Sequence, residues 1–265
     1  MSTLKISTDR RGICTITMGN PDKHNAFDDT VIAELSEAFL NADNNSDVRI
    51  VVLAAEGKSF SAGADLGWMK RMASYSYEEN LADANALAEM LRRLNFISKP
   101  TIARVQGAAF GGAVGLVACC DMAVASPRAS FCLSEVKIGL IPATISPYVI
   151  AAMGQRAARR YFLTAERFKA NVAADLGLVS EVVEEDQLDI RIGQLADSLL
   201  SNSPQAVGAA KKLIADISGR EINAELISTS SQRIAAIRTS AEGQEGLSAF
   251  LEKRSPTWLN ADSEA

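Results

Sequence analysis

The chain has one histidine among 265 residues, so any mechanism built on an imidazole base and its orienting partner rests on His24 alone. His24 lies in the polar loop Pro21-Asp22-Lys23-His24-Asn25, where a surface position is the simpler reading. No Gly-x-Ser-x-Gly elbow, no His-Glu-x-x-His pair and no glycine loop ending in Gly-Lys-Ser/Thr occurs, which removes most support for serine hydrolase, metalloprotease and P-loop readings. Cysteine is scarce: Cys14, Cys119, Cys120 and Cys132 show neither CxxC nor secretory spacing, so reduced thiols and no structural zinc are expected. No excess of positive charge is present. The formal net charge is −5, with Lys and Arg scattered, and nucleic-acid binding is not expected. The longest apolar run, Ala113–Cys120, is too short to span a bilayer, and residues 1–12 contain no apolar segment of the signal-peptide kind. A cytoplasmic protein without membrane association is the expectation.

What is present is a 48% hydrophobic chain with strand and helix patterns in alternation, enough for one large core. Leu4–Ile6 and Ile13–Met18 read as a hairpin around the turn at residues 9–12. A helix over 28–42 follows, with Val31, Leu35, Ala38 and Phe39 on one face and Asp28 or Asp29 as its N-cap, and then a buried strand at Arg49–Ala55. A helix over Tyr77–Phe96, with Leu81, Ala84, Leu87, Ala88 and Leu91 on its apolar face, leads to the strand Thr101–Val105. A glycine-rich turn at 107–112, a small-residue helix at 113–120 and a strand at Met122–Ala125 come next. Beyond Pro147 the pattern is helical, interrupted by a short strand at Val179–Val183, with helices over 186–200, 204–217, 222–237 and 241–251 and a frayed tail after Trp258. The alternation predicts an α/β fold with a mostly parallel sheet, divided into a core over 1–200 and a helical region over 201–265.

Two strand-to-helix turns are rich in small residues: Lys58–Leu66 and Val105–Gly112. Each can present free backbone N–H groups at a helix start, where they stabilise a negatively charged oxygen, and small side chains let a carbonyl approach. A third element, Phe131–Pro142, sets Glu135 among apolar residues. Two readings of Glu135 stand side by side: a desolvated carboxyl whose raised pKa suits it to acid–base work, or a carboxylate paired with Lys137 or Arg128 on a solvated edge.

Together these elements resemble the crotonase (enoyl-CoA hydratase/isomerase) superfamily, from the strand at 13–18 to Lys253-Arg254. The resemblance is carried by Asn20-Pro21 through Asn25-Ala26-Phe27, Phe60–Leu66, Gln106-Gly107 through Gly111-Gly112, Cys120-Asp121, and Glu242-Gly243 through Ala249-Phe250. It implies a crotonase-like spiral of β-β-α units with a C-terminal helical trimerisation region, assembled as a homotrimer or a dimer of trimers. It also implies an acyl-CoA thioester substrate and no separate cofactor or metal, CoA being part of the substrate. By the resemblance, the oxyanion-hole donors fall on the N–H groups of Ala64 and Gly112, and Glu135 matches the later of the family's two glutamates. The CoA-binding loop falls on Ala62, Gly63, Ala64, Asp65 and Leu66, with further contacts from Lys23, His24 and Ala26.

The earlier glutamate is absent: Gly115 stands at its position. A member with only the later carboxylate can be an isomerase that moves a proton between carbons. The segments around Phe110, Glu135 and Leu140–Tyr148, in contrast, resemble bacterial glutaconyl-CoA hydratases, which implies a hydratase for a branched, distally carboxylated enoyl-CoA of the 3-methylglutaconyl or isohexenylglutaconyl type, as in leucine or acyclic terpene degradation. On that reading Gly115 makes room for the acyl group, the alternative being that it only lets the small-residue helix pack closely. Lys70 or Arg71 supplies a cation for the acyl carboxylate or else lies on a solvated helix face, and the α-carbon proton comes from the same water, from Glu135 in a syn addition, or from Ser146 or Thr144. A non-catalytic acyl-CoA or RNA-binding relative is the remaining alternative.

Overall fold

The computed structural model describes residues 3–260. Strands β1 (Leu4–Thr8) and β2 (Ile13–Met18) form the expected antiparallel hairpin, registered Leu4↔Met18 to Thr8↔Cys14. Asp9 closes its turn by accepting from the N–H groups of Arg11 and Ile13, both at 2.9 Å. Helix α1 (Asp29–Asn44) starts at Asp28, whose carboxylate accepts from the N–H groups of Thr30 and Val31 at 3.1 Å. Such a cap satisfies donors that a helix start otherwise leaves unpaired, and contributes about 1 kcal/mol.

From here the chain repeats one unit. A strand in a six-stranded sheet is followed by a short strand in a four-stranded sheet and then by helix. Strands β3 (Ile50–Ala55) and β4 (Ser59–Ser61) lead to α2 (Leu66–Met72) and α3 (Tyr77–Phe96). Strands β5 (Thr101–Val105) and β6 (Ala108–Phe110) lead to α4 (Gly112–Cys119), and β7 (Met122–Ala125) and β8 (Ser130–Cys132) lead to α5 (Ser146–Thr164), broken at Gly154. Strand β9 (Phe168–Lys169), helix α6 (Ala170–Asp175), strand β10 (Glu181–Val182) and helix α7 (Leu188–Leu200) complete the core. The larger sheet has the order β1-β2-β3-β5-β7-β10, parallel from β2 onward, and the smaller one the order β4-β6-β8-β9.

Every residue of β3 is buried because both faces of the larger sheet are covered. Val51, Leu53 and Ala55 join the main core with α1, α3 and α4, whereas Ile50 and Val52 pack with Ile102, Val124 and, from α7, Leu188, Ile192 and Ala196. Consecutive turns of the spiral are stitched at their corners. The Gln106 amide donates to the carbonyls of Ala55, Gly57 and Ser59 at 2.9–3.2 Å, and a Cβ on Gly107 would lie 1.9 Å from the Lys58 carbonyl oxygen, so only glycine fits there. The clamp fixes the heights of the two glycine-rich turns relative to each other.

Helices α8 (Pro204–Ile217), α9 (Ala224–Thr239), α10 (Ala241–Glu252) and the short α11 (Thr257–Asn260) follow. Of the tail expected to fray after Trp258, residues 259–260 are helical, and 261–265 lies outside the described residues. Among the described residues no helix is long and apolar enough to cross a membrane. One expectation for α3 fails: Leu81 is 46% exposed, and the helix buries Met90, Leu91 and Leu94 toward its C-terminal end.

Candidate active site

A cavity of about 570 Å³ opens between α2, α3, the start of α4 and the segment 139–145. Ala64, Gly112 and Glu135 all line it, brought from three different turns of the spiral.

Ala64 is aimed by a single parallel bridge to Phe27: the Phe27 N–H donates to the Gly63 carbonyl at 2.9 Å, and the Asp65 N–H donates to the Phe27 carbonyl at 3.0 Å. In a parallel ladder those two bonds flank Ala64, so its own N–H points away from Phe27. Gly112 opens α4, where helical geometry leaves the first N–H groups without intrahelical partners. Neither the Ala64 nor the Gly112 N–H has a hydrogen-bond acceptor among the described residues. The close packing that holds the pair depends on small residues. Gly63, at φ +87°, would place a Cβ 2.7 Å from the Phe110 carbonyl oxygen, and a Cβ on Gly112 would lie 2.6 Å from Cζ of Phe27.

Glu135 begins a 3₁₀ turn over Glu135–Ile138, after β8 has carried the chain beside Gly111. Gly111 is at φ +54°, and a Cβ on it would stand 3.4 Å from Oε1 of Glu135. The second oxygen, Oε2, is buried without a hydrogen-bond partner. Burial pushes the carboxyl above its ordinary range, opposed in part by a hydrogen bond to its own backbone. The paired-carboxylate reading does not hold: Arg128 is bridged to Glu185 at 2.6 Å, and Lys137 is exposed with no ion pair to Glu135. The site thus holds an unpaired carboxyl beside two unused N–H donors, an arrangement able to polarise a carbonyl and move a proton next to it.

The residues expected to hold CoA form a ledge adjoining the cavity. Lys23 is bridged to Asp65 at 3.1 Å, and Nδ1 of the exposed His24 lies 3.2 Å from Oγ of Ser59. The Ala62 N–H donates to the His24 carbonyl at 2.9 Å, so the 20–27 loop is strapped to the 59–65 loop. Ala62 and Leu66 are exposed, Ala26 is half-buried, and Gly63 is buried beneath them. Asp65 also caps α2, accepting from Gly67 and Trp68 at 2.7 and 3.1 Å, and its hydrogen bond from Lys23 is the leading cause that holds its carboxyl below the usual range. A depressed pKa means that the stabilisation is present above the unfolded value and is lost as pH falls through the folded one. We expect Asp65→Ala to cost about 1 kcal/mol at neutral pH, the usual worth of an N-cap, with the difference shrinking in acid. Urea unfolding of both proteins at neutral and acidic pH measures this.

Two assigned residues lie elsewhere. Gly115 does not line the cavity: Cγ2 of Ile145 would stand 2.3 Å from a Cβ there and Cδ2 of Leu91 at 3.4 Å, so Ile145 fills the space in front of it. Ser146 is likewise outside the lining and donates its hydroxyl to the Ala143 carbonyl at 2.8 Å, while Thr144 and Ile145 face the cavity. Lys70 and Arg71 are absent from the lining as well, and Arg71 is paired with Asp29. The sequence reading overlooked Trp68 and Asp83. The buried Trp68 indole donates to Oδ2 of Asp83 at 2.8 Å, and both line the cavity.

The family model for enoyl-CoA hydratase/isomerase matches residues 8–261. The chain belongs to the enoyl-CoA hydratase/isomerase family. An enoyl-CoA hydratase from Shewanella pealeana is 50% identical, with a TM-score of 0.94 over 97% of this chain and 96% of that one. A Legionella pneumophila protein provisionally assigned as an enoyl-CoA hydratase/isomerase (crotonase) is 46% identical, with a TM-score of 0.92 over 97% and 99%. The mitochondrial enoyl-CoA hydratase domain-containing protein 3 of Rattus norvegicus is 32% identical over 93% of this chain and 81% of its own length. The α/β spiral with its helical C-terminal region is the crotonase fold of these enzymes.

Proposed function

We propose that this enzyme adds water across the α,β double bond of an enoyl-CoA thioester. The observation that carries the reading is the buried, unpaired Glu135 carboxyl beside the unused N–H groups of Ala64 and Gly112. The thioester oxygen accepts from the two N–H groups, which draws electron density from the β-carbon. Glu135 takes a proton from water as the oxygen attacks that carbon. The enolate then recovers a proton at the α-carbon. With Ile145 occupying the place of a second acid, the proton taken up by Glu135 is returned from the same carboxyl, giving syn addition. Removing one donor of such a hole costs about 3 kcal/mol in other enzymes, so the N–H pair is the largest single contribution.

The isomerase reading is favoured by one specific observation: among the described residues one carboxyl, Glu135, lies beside the N–H pair, and Gly115 is covered. Paired incubations in ¹⁸O-labelled water with 2-enoyl- and 3-enoyl-CoA esters separate the two. Hydration places label on the β-carbon and removes the conjugated absorbance of the 2-enoyl ester. Conversion of the 3-enoyl ester to the 2-enoyl ester, with no label incorporated from either substrate, would establish the isomerase and end the hydratase proposal.

The finer expectation of a branched, distally carboxylated acyl group came with an expected cation near the tail, and among the described residues no basic side chain lines the cavity. The substrate proposed is an α,β-unsaturated CoA thioester, with 3-methylglutaconyl-CoA assayed as the carboxylated test case. A homotrimer or dimer of trimers belongs to the same reading, supported by the apolar side chains of Phe250 and Leu251, 82% and 77% exposed on α10.

A further inference from the structure

The cavity wall formed by α3 carries Asn80, Asp83, Ala84 and Leu87, which share one stripe of the helix at three- and four-residue spacing. Continued for one turn, that stripe reaches Leu91, the residue packed at Gly115. Eight residues separate Asp83 from Leu91, about 12 Å at the helical rise. Asp83 therefore does not occupy the place of the missing second acid and stands farther along the cavity, where the wall is completed by Trp68 and Met72.

Its orientation is fixed. Trp68, buried in α2, donates to Oδ2 at 2.8 Å, and Oδ1 accepts from no group among the described residues. Among the described residues no lysine, arginine or histidine lines the cavity. Arg71, whose charge favours the ionised Asp83, is itself paired with Asp29. Desolvation is the main cause that lifts the Asp83 carboxyl above its ordinary range, with the Trp68 bond opposing it, the Asp29 charge adding to it and the Arg71 charge opposing it.

Resting on the enoyl-CoA reading above, we infer that Asp83, oriented by Trp68, is a specificity residue that admits neutral acyl chains and rejects acyl chains carrying a distal carboxylate. Two carboxylates brought together in this cavity repel, and Arg71, whose charge acts on Asp83, is already paired with Asp29. Asp83→Asn tests this directly because the amide keeps an acceptor for the Trp68 indole and removes only the charge.

The measurement is the dissociation constant of saturated acyl-CoA esters, which cannot be turned over, in pairs of equal length: monocarboxylic and ω-dicarboxylic chains of about four to ten carbons. For the wild-type enzyme the neutral ester of a pair binds about tenfold or more tightly at the lengths that reach Asp83, a preference typical of one like-charge contact at intermediate dielectric. In Asp83→Asn the ratio falls to within about twofold, and Asp83→Glu restores the preference. A wild-type ratio near one at every length, or a ratio that Asp83→Asn leaves unchanged, overturns the inference. A purely structural role would weaken both members of each pair equally, which also overturns it. Because no turnover is needed, discrimination by charge without any hydration of enoyl esters would refute the hydratase proposal and leave this inference standing. Failure of every ester to bind would refute both.

Discussion

Glu135→Gln lowers kcat by roughly 10²- to 10⁴-fold while leaving the affinity for a saturated acyl-CoA within a few fold, since the change keeps the side-chain shape and removes the proton-accepting group. The same substitution raises thermal stability. In the folded chain burial lifts the Glu135 carboxyl above its ordinary pKa, and Oε2 has no donor to stabilise its charge. A raised folded pKa means that the associated stability is fully present below the unfolded value, about 4.3 for a free glutamate, and is lost as pH rises through the folded value. At neutral pH the wild-type enzyme therefore carries the penalty of an ionised, partly desolvated group, and the amide does not. The gain reads as a higher Tm at neutral pH and closes as the pH is taken down. The acid limb of kcat/KM in the wild type falls as pH drops through that same raised value. Single-turnover kinetics together with melting curves across pH test both halves. Retention of more than about a tenth of wild-type kcat would remove Glu135 from the general-base role. A lower Tm at neutral pH would show that the carboxylate is satisfied in solution.

The parts of this fold that were legible in sequence are those specified by local signals. The hairpin at 4–18 is set by alternation around a short turn, the Asp28 cap by a carboxylate just before an apolar repeat, and α3 by its twenty-residue periodicity. The smaller sheet was not legible. Strands β4, β6 and β8 have three residues each and β9 has two, too few to display a period, and they exist only because successive turns of the spiral stack them. The burial of α3 was misread for a related reason: spacing finds the apolar stripe but not which end of it another element covers, and Leu81 lies beyond the covered end.

The site divides the same way. Ala64, Gly112 and Glu135 could be named from their motifs, and the structure brings all three to one cavity. Residues whose surroundings come from distant segments could not be placed. Ile145 meets Gly115 across thirty residues of chain, and Trp68 meets Asp83 from a different helix. No periodicity or motif encodes such contacts. An aspartate within an otherwise helical segment reads as a solvated face until a neighbouring indole is seen to hold it.

Gly115→Glu separates the two sequence readings of that glycine, space left for an acyl group or close packing of the small-residue helix, and the structure favours the second. The new Cβ would lie 2.3 Å from Cγ2 and 2.8 Å from Cβ of Ile145, and Gly115 is itself fully enclosed in the main core between α3 and α5. Side-chain rotation cannot relieve a contact that involves the branch atom Cβ of Ile145, so the start of α5 or the packing of Leu91 must move. Overpacking of this kind costs about 1 to 3 kcal/mol, and a carboxyl forced into an apolar setting adds several more unless it is protonated. We expect a loss of roughly 4 kcal/mol or more, a fall in Tm of about 8 °C or more, with turnover of neutral and carboxylated enoyl-CoA esters reduced in the same proportion. Combining it with Ile145→Gly removes both offending atoms and should return a substantial part of the lost Tm, even though Ile145→Gly alone destabilises by opening a void. The coupling between the two positions, read from a double-mutant cycle of denaturant midpoints, is the decisive quantity. Additive losses would mean that Ile145 does not fill the place of a second carboxyl. A stable Gly115→Glu enzyme with a selectively raised KM for carboxylated esters would return Gly115 to the substrate and overturn the packing account.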